Sequence, residues 1–219
     1  LSTGKRINSA SDDAAGLAIA TDLNSRVSGL NQAVRNVNDG ISMVQIMEGT
    51  YDEVTSILQR MRDMAVQAAN GSLTSTEVGY LDTERTQLNS AINEAIGKAM
   101  FANVDLATGG STTVVIQSGA NTGDRVTLTL TSASAANATN IGVGSMDSFV
   151  SATGTTSIGL IDAALGVVAT QRATLGAHQA QLESTVRNLS NVAENTAAAA
   201  GRIMDTDYAA ETANLTKAQ

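Results

Sequence analysis

The sequence contains no cysteine, no proline and no tryptophan, and aromatic residues make up only 2% of its 219 residues. Without cysteine the chain forms no disulfide and offers no thiolate for catalysis or metal binding. Without proline it lacks the residue that most strongly breaks a helix interior, where it costs about 3 kcal/mol. The apolar residues are mainly Ala, Val, Leu, Ile and Met, which suits thin layers of packed helices rather than a core of large rings.

The charge balance is acidic, and long apolar runs are missing. The net charge is −8, which argues against nucleic acid as a partner because phosphate binding needs a basic surface. No uninterrupted run of 18 apolar residues occurs, so we expect no membrane span. The lack of a signal peptide carries little weight, because the sequence begins at Leu1 without a methionine.

Two long stretches carry a heptad pattern that predicts packed helices. In the first, Ser9 or Ser11 is the expected cap, with Asp12 and Asp13 in the first turn. Its expected seam is Leu23, Val27, Leu30, Val34, Val37, Ile41, Val44, Tyr51, Val54, Leu58, Met61, Ala65 and Ala68, with a local slip at Met47 and Glu48. The seam expected near the C-terminus is Ile161, Leu165, Val168, Leu175, Leu182, Val186, Leu189, Ala193, Ala200 and Ile203, and Arg172, Gln179 and Thr196 interrupt it.

A shorter helix and a small β region are predicted between them. Thr74 and Glu77 have the spacing of a capping box. "TTVVIQSG" and "DRVTLTL" read as strands on either side of the turn residues "SGANTGD". We therefore expect a mainly α fold: an elongated antiparallel rod of two long helices and one shorter helix, capped by a β-hairpin or turret. The expected segments are 1–100 (rod helices), 101–156 (β-rich, variable middle) and 157–219 (C-terminal rod helix).

Residue types for catalysis are sparse. The single histidine, His178, rules out a two-histidine metal site within one chain and reads as a solvated helix residue. Asp12 with Asp13, and Asp205 with Asp207, read as capping groups rather than paired catalytic carboxylates. We expect no enzyme and no cofactor. A self-assembling structural protein and a signalling or adhesin coiled-coil rod remain, and the Thr- and Val-rich middle favours the first.

Longer stretches carry a family resemblance. "LSTGKRINSASDDAAGLAIA", "LNQAVRNVNDGISMVQIMEG" and "LQRMRDMAVQAANG" resemble the N-terminal core of bacterial flagellin, and Ile161–Gln219 resembles its C-terminal core. "FANVDLATGG" and "VVIQSGANTGDRVTL" are similar to the family's strand-and-turn region. The resemblance implies a secreted subunit of the flagellar filament, handled by the export apparatus and chaperones and polymerising with other subunits for motility. It also implies a core fragment without the terminal polymerisation segments.

The outer side of "LQRMRDMAVQAANG" is the candidate partner-binding face. Gln59, Arg60, Asp63, Val66 and Gln67 form a mixed surface opposite the apolar seam. The resemblance implies that this stretch packs between subunits or is recognised by the innate immune receptor TLR5. It places the family's key arginine at Arg60 and adds Met64, where leucine is usual, to the candidate face as its sixth member. It puts Ala91 where a glutamate is expected, with Glu94 nearby.

Overall fold

The computed structural model describes residues 4–107, 112–130, 149 and 154–219. Four helices and four strands follow one another along the chain. They are α1 (Ala14–Ala68), α2 (Ser75–Gly97), β1 (Met100–Phe101), β2 (Val104–Asp105), β3 (Thr112–Gln117), β4 (Arg125–Leu130), α3 (Gly154–Met204) and α4 (Tyr208–Ala218). The prediction of a mainly helical fold with a small β region is confirmed.

The chain packs into two compact units that draw on distant parts of the sequence. Unit 1 comprises residues 1–38, 117–126 and 183–219, and unit 2 comprises residues 39–116 and 127–182. The long helices α1 and α3 each contribute to both units.

The start of α1 differs from the prediction. The helix begins at Ala14, and Asp13 is its cap because its Oδ1 accepts a hydrogen bond from the Gly16 backbone N–H at 2.9 Å. Asp12 accepts from the backbone N–H of Ser9 at 2.9 Å and of Asn8 at 3.1 Å, and these bonds lower the pKa of its carboxyl. Placing Asp12 and Asp13 inside the first turn was wrong, because a turn closed between Asp12 and Ser9 precedes the helix.

The caps and breaks of the other helices agree with the sequence. In α2, Thr74 and Glu77 form both hydrogen bonds of a capping box, which lowers the pKa of the Glu77 carboxyl. Helix α3 ends at Met204, and Asp207 accepts a hydrogen bond from the Ala209 backbone N–H at the start of α4. The predicted capping role of Asp207 is confirmed, and residues 205–207 separate α3 from α4.

Two small sheets connect α2 to α3. In the first, β1 and β2 pair antiparallel, with Phe101 opposite Val104, so Ala102 and Asn103 alone form the turn. Both have positive φ, 46° and 66°, as a two-residue hairpin turn of type I′ requires. In the second, β3 pairs with β4, and the Ser118 N–H donates to the Asp124 carbonyl across the predicted turn. Residues 131–148 and 150–153, where we expected exposed loops, lie outside the described part of the chain.

The core follows the predicted seams and widens on one of them. Most seam positions of α1 and α3 are buried or half-buried. In unit 2, Ile57 and Met64 add a second buried stripe to α1. Ion pairs show the cause, since Arg60 reaches Glu84 on α2 and Arg62 reaches Asp162 on α3. A helix covered by two neighbours buries a wider stripe than one that forms a two-helix seam.

In unit 1 residues 4–6 pair with residues 203–206, where the chain passes from α3 to α4. The Arg6 backbone N–H donates to the Met204 carbonyl at 2.7 Å, and the Thr206 N–H donates to the Gly4 carbonyl at 3.1 Å. The Arg6 guanidinium also donates to the Ile203 carbonyl at 3.1 Å. The two bonds donated by Arg6 occupy carbonyls at the end of α3 that have no partner within the helix. Ile7 is buried beside them and contributes to the core of unit 1.

Candidate functional site

The candidate face lies on the last three turns of α1, within unit 2. Five of its six predicted members are exposed: Gln59, Arg60, Asp63, Val66 and Gln67. We refer to these five residues as the outer α1 face. The opposite side of the same turns is sealed against the core, because Leu58, Met61 and Ala65 are fully buried. The face is therefore open to a partner while the helix that carries it is firmly anchored.

Met64 does not belong to this face. Its side chain is only 1% exposed, so its placement on the accessible surface was wrong. Three residues separate it from Met61 and from Gln67, which puts it at the border between the inner and outer sides of the helix. A single heptad seam leaves such a position outside the core, whereas the second packing neighbour of α1 buries it.

Arg60 is held in place by an ion pair with α2. Its Nε and Nη2 donate to Glu84 Oε1 at 3.0 Å and 2.8 Å. The Arg60 side chain remains 59% exposed, so its other guanidinium N–H groups face solvent. The pair thus orients the guanidinium without covering it, and the long arginine side chain loses less freedom when a partner binds.

The expected acidic neighbour of Arg60 comes from a different turn of α2. The resemblance pointed to Ala91, but Ala91 is half-buried in a shallow cleft that Glu53, Ile57 and Glu94 also line. Glu94 forms an ion pair with Lys98, which lowers the pKa of the Glu94 carboxyl. Glu84 therefore takes the place beside Arg60, and nothing in the sequence alone marked it.

Val66 is the apolar member of the face. It is 50% exposed, whereas the other exposed members carry amide or charged groups. A single exposed valine is common on a protein surface. Here it sits between the polar side chains of Asp63 and Gln67, a mixture typical of interfaces formed from many weak contacts.

Other candidate groups for chemistry are dispersed. His178 is half-buried on α3. In the described part of the chain, no group of three His, Cys, Asp or Glu side chains could hold a metal ion. Asp205 pairs its backbone with Lys5 in a single antiparallel bridge. By length and composition alone, Thr156–Met204 of α3 could cross a membrane, but one such helix is weak evidence for a membrane protein.

Unit 1 contains a cleft that the sequence did not predict. It has a volume of about 650 Å³ and lies between the turn Ser118–Asp124 and the helices α1 and α3. Arg26 and Arg125 line it, together with polar side chains such as Asn188. No sequence signal could reveal it, because its three walls are far apart along the chain.

These observations define a class: a structural protein of long packed helices with an exposed, mixed face on a rigid helix. Comparison with known proteins then gives the family. Residues 1–112 match the bacterial flagellin N-terminal helical region, and residues 158–219 match the bacterial flagellin C-terminal helical region. The chain belongs to the bacterial flagellin family.

Individual relatives agree. The chain is 41% identical over 217 residues to a flagellin of Halalkalibacterium halodurans, which covers 99% of this chain and 79% of that protein. It is 38% identical over 231 residues to the flagellar filament 31.3 kDa core protein of Treponema maltophilum, covering 99% and 80% of the two chains. The crystal structure of Bacillus cereus flagellin superposes with a TM-score of 0.63 at 29% identity, covering 76% of this chain and 94% of that one.

Family membership sets the broad function. The chain is a structural subunit of the bacterial flagellar filament, and its role in motility follows from that. The filament formed by such subunits is extracellular. The comparisons favour this role over a signalling or adhesin coiled-coil rod.

Proposed function

We propose that the outer α1 face packs laterally against a neighbouring subunit in the filament. The observation that carries the proposal is the contrast across one helix. Leu58, Met61 and Met64 are buried, while the face opposite is exposed and includes an apolar side chain at Val66. Subunits in a filament meet through heterologous contacts that repeat without closing. Many weak contacts of this kind add up along the filament to a stiff assembly.

The proposal is tested by placing a charge at the centre of the face. In the full-length protein, Val66→Asp would bury an unpaired carboxylate between subunits, so filament growth should fall sharply. Val66→Thr is the matched control, because it keeps the side chain's shape without adding a charge. Both variants should unfold at nearly the same temperature as the parent, since the side chain is half exposed. Normal filaments from Val66→Asp, seen by electron microscopy, would rule out this interface.

In a subunit outside the filament, the same face offers Arg60 to the host receptor TLR5. Arg60 supports this role because Glu84 orients its guanidinium and leaves it more than half exposed. Met64 takes no direct part, because it is buried. Ala91 supplies no carboxylate where the resemblance implies one, so Glu84 is the acidic group next to the arginine.

Receptor activation can be measured with a cell reporter. Arg60→Ala should remove the response, and Arg26→Ala is the matched control because Arg26 pairs with Asp22 within α1 and lies in unit 1, away from the face. A silent parent protein would contradict the receptor proposal itself. Equal losses from both variants would show that the effect is structural and not specific to Arg60.

Secretion completes the proposal. The subunit passes through the flagellar export apparatus as an unfolded chain, with the help of chaperones, and folds outside the cell. The absence of cysteine and proline supports this route, since neither disulfide formation nor proline isomerisation delays refolding. Cells that lack the export apparatus should retain the protein inside. Its appearance in their culture medium would contradict the proposal.

A further inference from the structure

Within unit 2, two sites of ion pairing join α1 to α3 with opposite polarity. At one site the cation is on α1: Arg62 Nε lies 2.6 Å from Asp162 Oδ1. At the other the cation is on α3: Arg172 contacts Glu48 Oε1 at 2.7 Å and Asp52 Oδ1 at 3.1 Å. The order of the contacts shows that the two helices run antiparallel in this unit.

The two sites have the same spacing on both helices. Asp52 and Arg62 are ten positions apart on α1, and Asp162 and Arg172 are ten positions apart on α3. Two cation–carboxylate pairs therefore match at once when the helices are antiparallel. Because the polarity is reversed between the sites, each helix presents a cation at one site and carboxylate at the other.

The apolar seam does not select this alignment by itself. Apart from the local slip at Met47 and Glu48, it repeats every seven residues, so a slip of one heptad again places apolar side chains opposite one another over most of the seam. Such a slip would instead set Arg172 against Thr55 and Gln59, or against Ile41 and Gln45. It would set Arg62 against Ala169 or Thr155. Both cations would then face residues without a carboxylate.

Arg172 lies within the apolar seam of α3, opposite the irregular part of the α1 seam. It interrupts the α3 seam between the buried residues Val168 and Leu175, and its side chain is 35% exposed. Its partner Glu48 stands at the position where the α1 heptad slips and Met47 becomes the buried residue. The irregularity in one helix thus accommodates the polar residue in the other.

We propose that these two ion-pair sites fix the register of α3 on α1 within unit 2. The role is one of alignment more than of stability, because exposed ion pairs stabilise a fold weakly. A polar group at a seam position has the same effect in coiled coils, where it selects one register among several of similar energy. The inference goes beyond the lateral packing proposed above and does not depend on it.

The register can be measured directly, since the chain has no cysteine of its own. Spin labels at Ser56→Cys on α1 and Ala180→Cys on α3, both exposed positions, report one inter-label distance in the native register. The double variant Arg62→Leu/Arg172→Leu should add a second distance, shifted by about 10 Å, the rise of seven helical residues. A single unshifted distance in this variant would overturn the proposal.

The matched control is Arg26→Leu/Arg187→Leu, which also removes two arginines. Arg26 pairs with Asp22 inside α1, and Arg187 is exposed on α3. This control should keep the single native distance, and a second distance in it would also overturn the proposal. If the double variant loses its helical circular dichroism, exchanging the charges of Arg172 and Glu48 provides the test instead. Arg172→Glu should then shift the distance or unfold the protein, and adding Glu48→Arg should reverse that defect. An unshifted distance in Arg172→Glu, or a defect that Glu48→Arg does not reverse, would count against the proposal.

Discussion

Tyr51 gives the sharpest test of the energetics of unit 2. Its side chain is only 1% exposed, and its hydroxyl is buried without a hydrogen-bond partner among the described residues. A buried polar group left unpaired costs roughly 1–3 kcal/mol. Tyr51→Phe removes the hydroxyl and keeps the ring in place. We therefore expect the variant to be more stable than the parent by about 1–2 kcal/mol at neutral pH.

Alkaline pH should widen this difference. Burial raises the pKa of the Tyr51 hydroxyl from 10.0 to about 12. The folded-state pKa lies above the unfolded value, so the unfolded chain releases this proton first as the pH rises. The free energy of unfolding of the parent is therefore unaffected by Tyr51 ionisation well below pH 10, and it falls as the pH rises from 10 towards 12. A shift of this size corresponds to a loss of roughly 2–3 kcal/mol in the parent. Tyr51→Phe should not show this loss.

The assay is urea unfolding followed by circular dichroism, in steps of one pH unit from 7 to 12. Tyr80→Phe is the matched control, because Tyr80 is 72% exposed and its hydroxyl already reaches water. The control should unfold with the parent at every pH. If Tyr51→Phe were less stable than the parent at pH 7, the hydroxyl would have a partner and the reasoning would fail.

Three further substitutions test other parts of the fold. Met64→Ala should destabilise the protein by roughly 2–5 kcal/mol because the side chain is buried. Gln67→Ala, one turn away and exposed, is its control and should change stability little. Equal effects of the two variants in urea unfolding would contradict the two-neighbour packing of α1. Gly40→Ala should leave the protein roughly 1–3 kcal/mol less stable than its control Gly49→Ala, because both changes gain helix propensity but only the new Cβ at position 40 would overlap a neighbour, Ile116 Cδ1. Ala102→Asn should raise stability by about 0.5–1 kcal/mol, because asparagine adopts positive φ more readily than alanine. Ala102→Val should lower stability, because a β-branched residue disfavours positive φ. The reverse order of the two variants in thermal unfolding would refute the assigned turn.

Local patterns in the sequence predicted most of the secondary structure. The heptads located α1 and α3, the capping box located the start of α2, and the enrichment in valine, threonine and isoleucine located β3 and β4. Each signal is contained within a few neighbouring residues. Met64 shows the limit of such signals, since its burial depends on how many helices cover α1 and not on the heptad of α1 itself.

The β1–β2 hairpin was missed as a pairing for a related reason. Its turn consists of Ala102 and Asn103, whereas the strongest sequence signal for such a turn is Asn-Gly or Asp-Gly. The strands are two residues long, too short for an alternating pattern. Tertiary packing overrides local preference here, because alanine adopts a positive φ that it rarely takes by itself.

In the candidate site, too, the features of a single helix were predictable and the contacts between helices were not. One helix was enough to predict which of its residues face outward, and five of six assignments agree with the exposed surface. The partner of Arg60 required the alignment of α2 with α1. Ala91 and Glu84 are seven residues apart on α2, a distance of about 10 Å along the helix. An error of one heptad therefore exchanges an alanine for the carboxylate that orients the arginine. The same unit of seven residues separates the native register of α3 from its nearest alternatives, so in this fold the chemistry of a surface depends on charges that hold long helices in alignment.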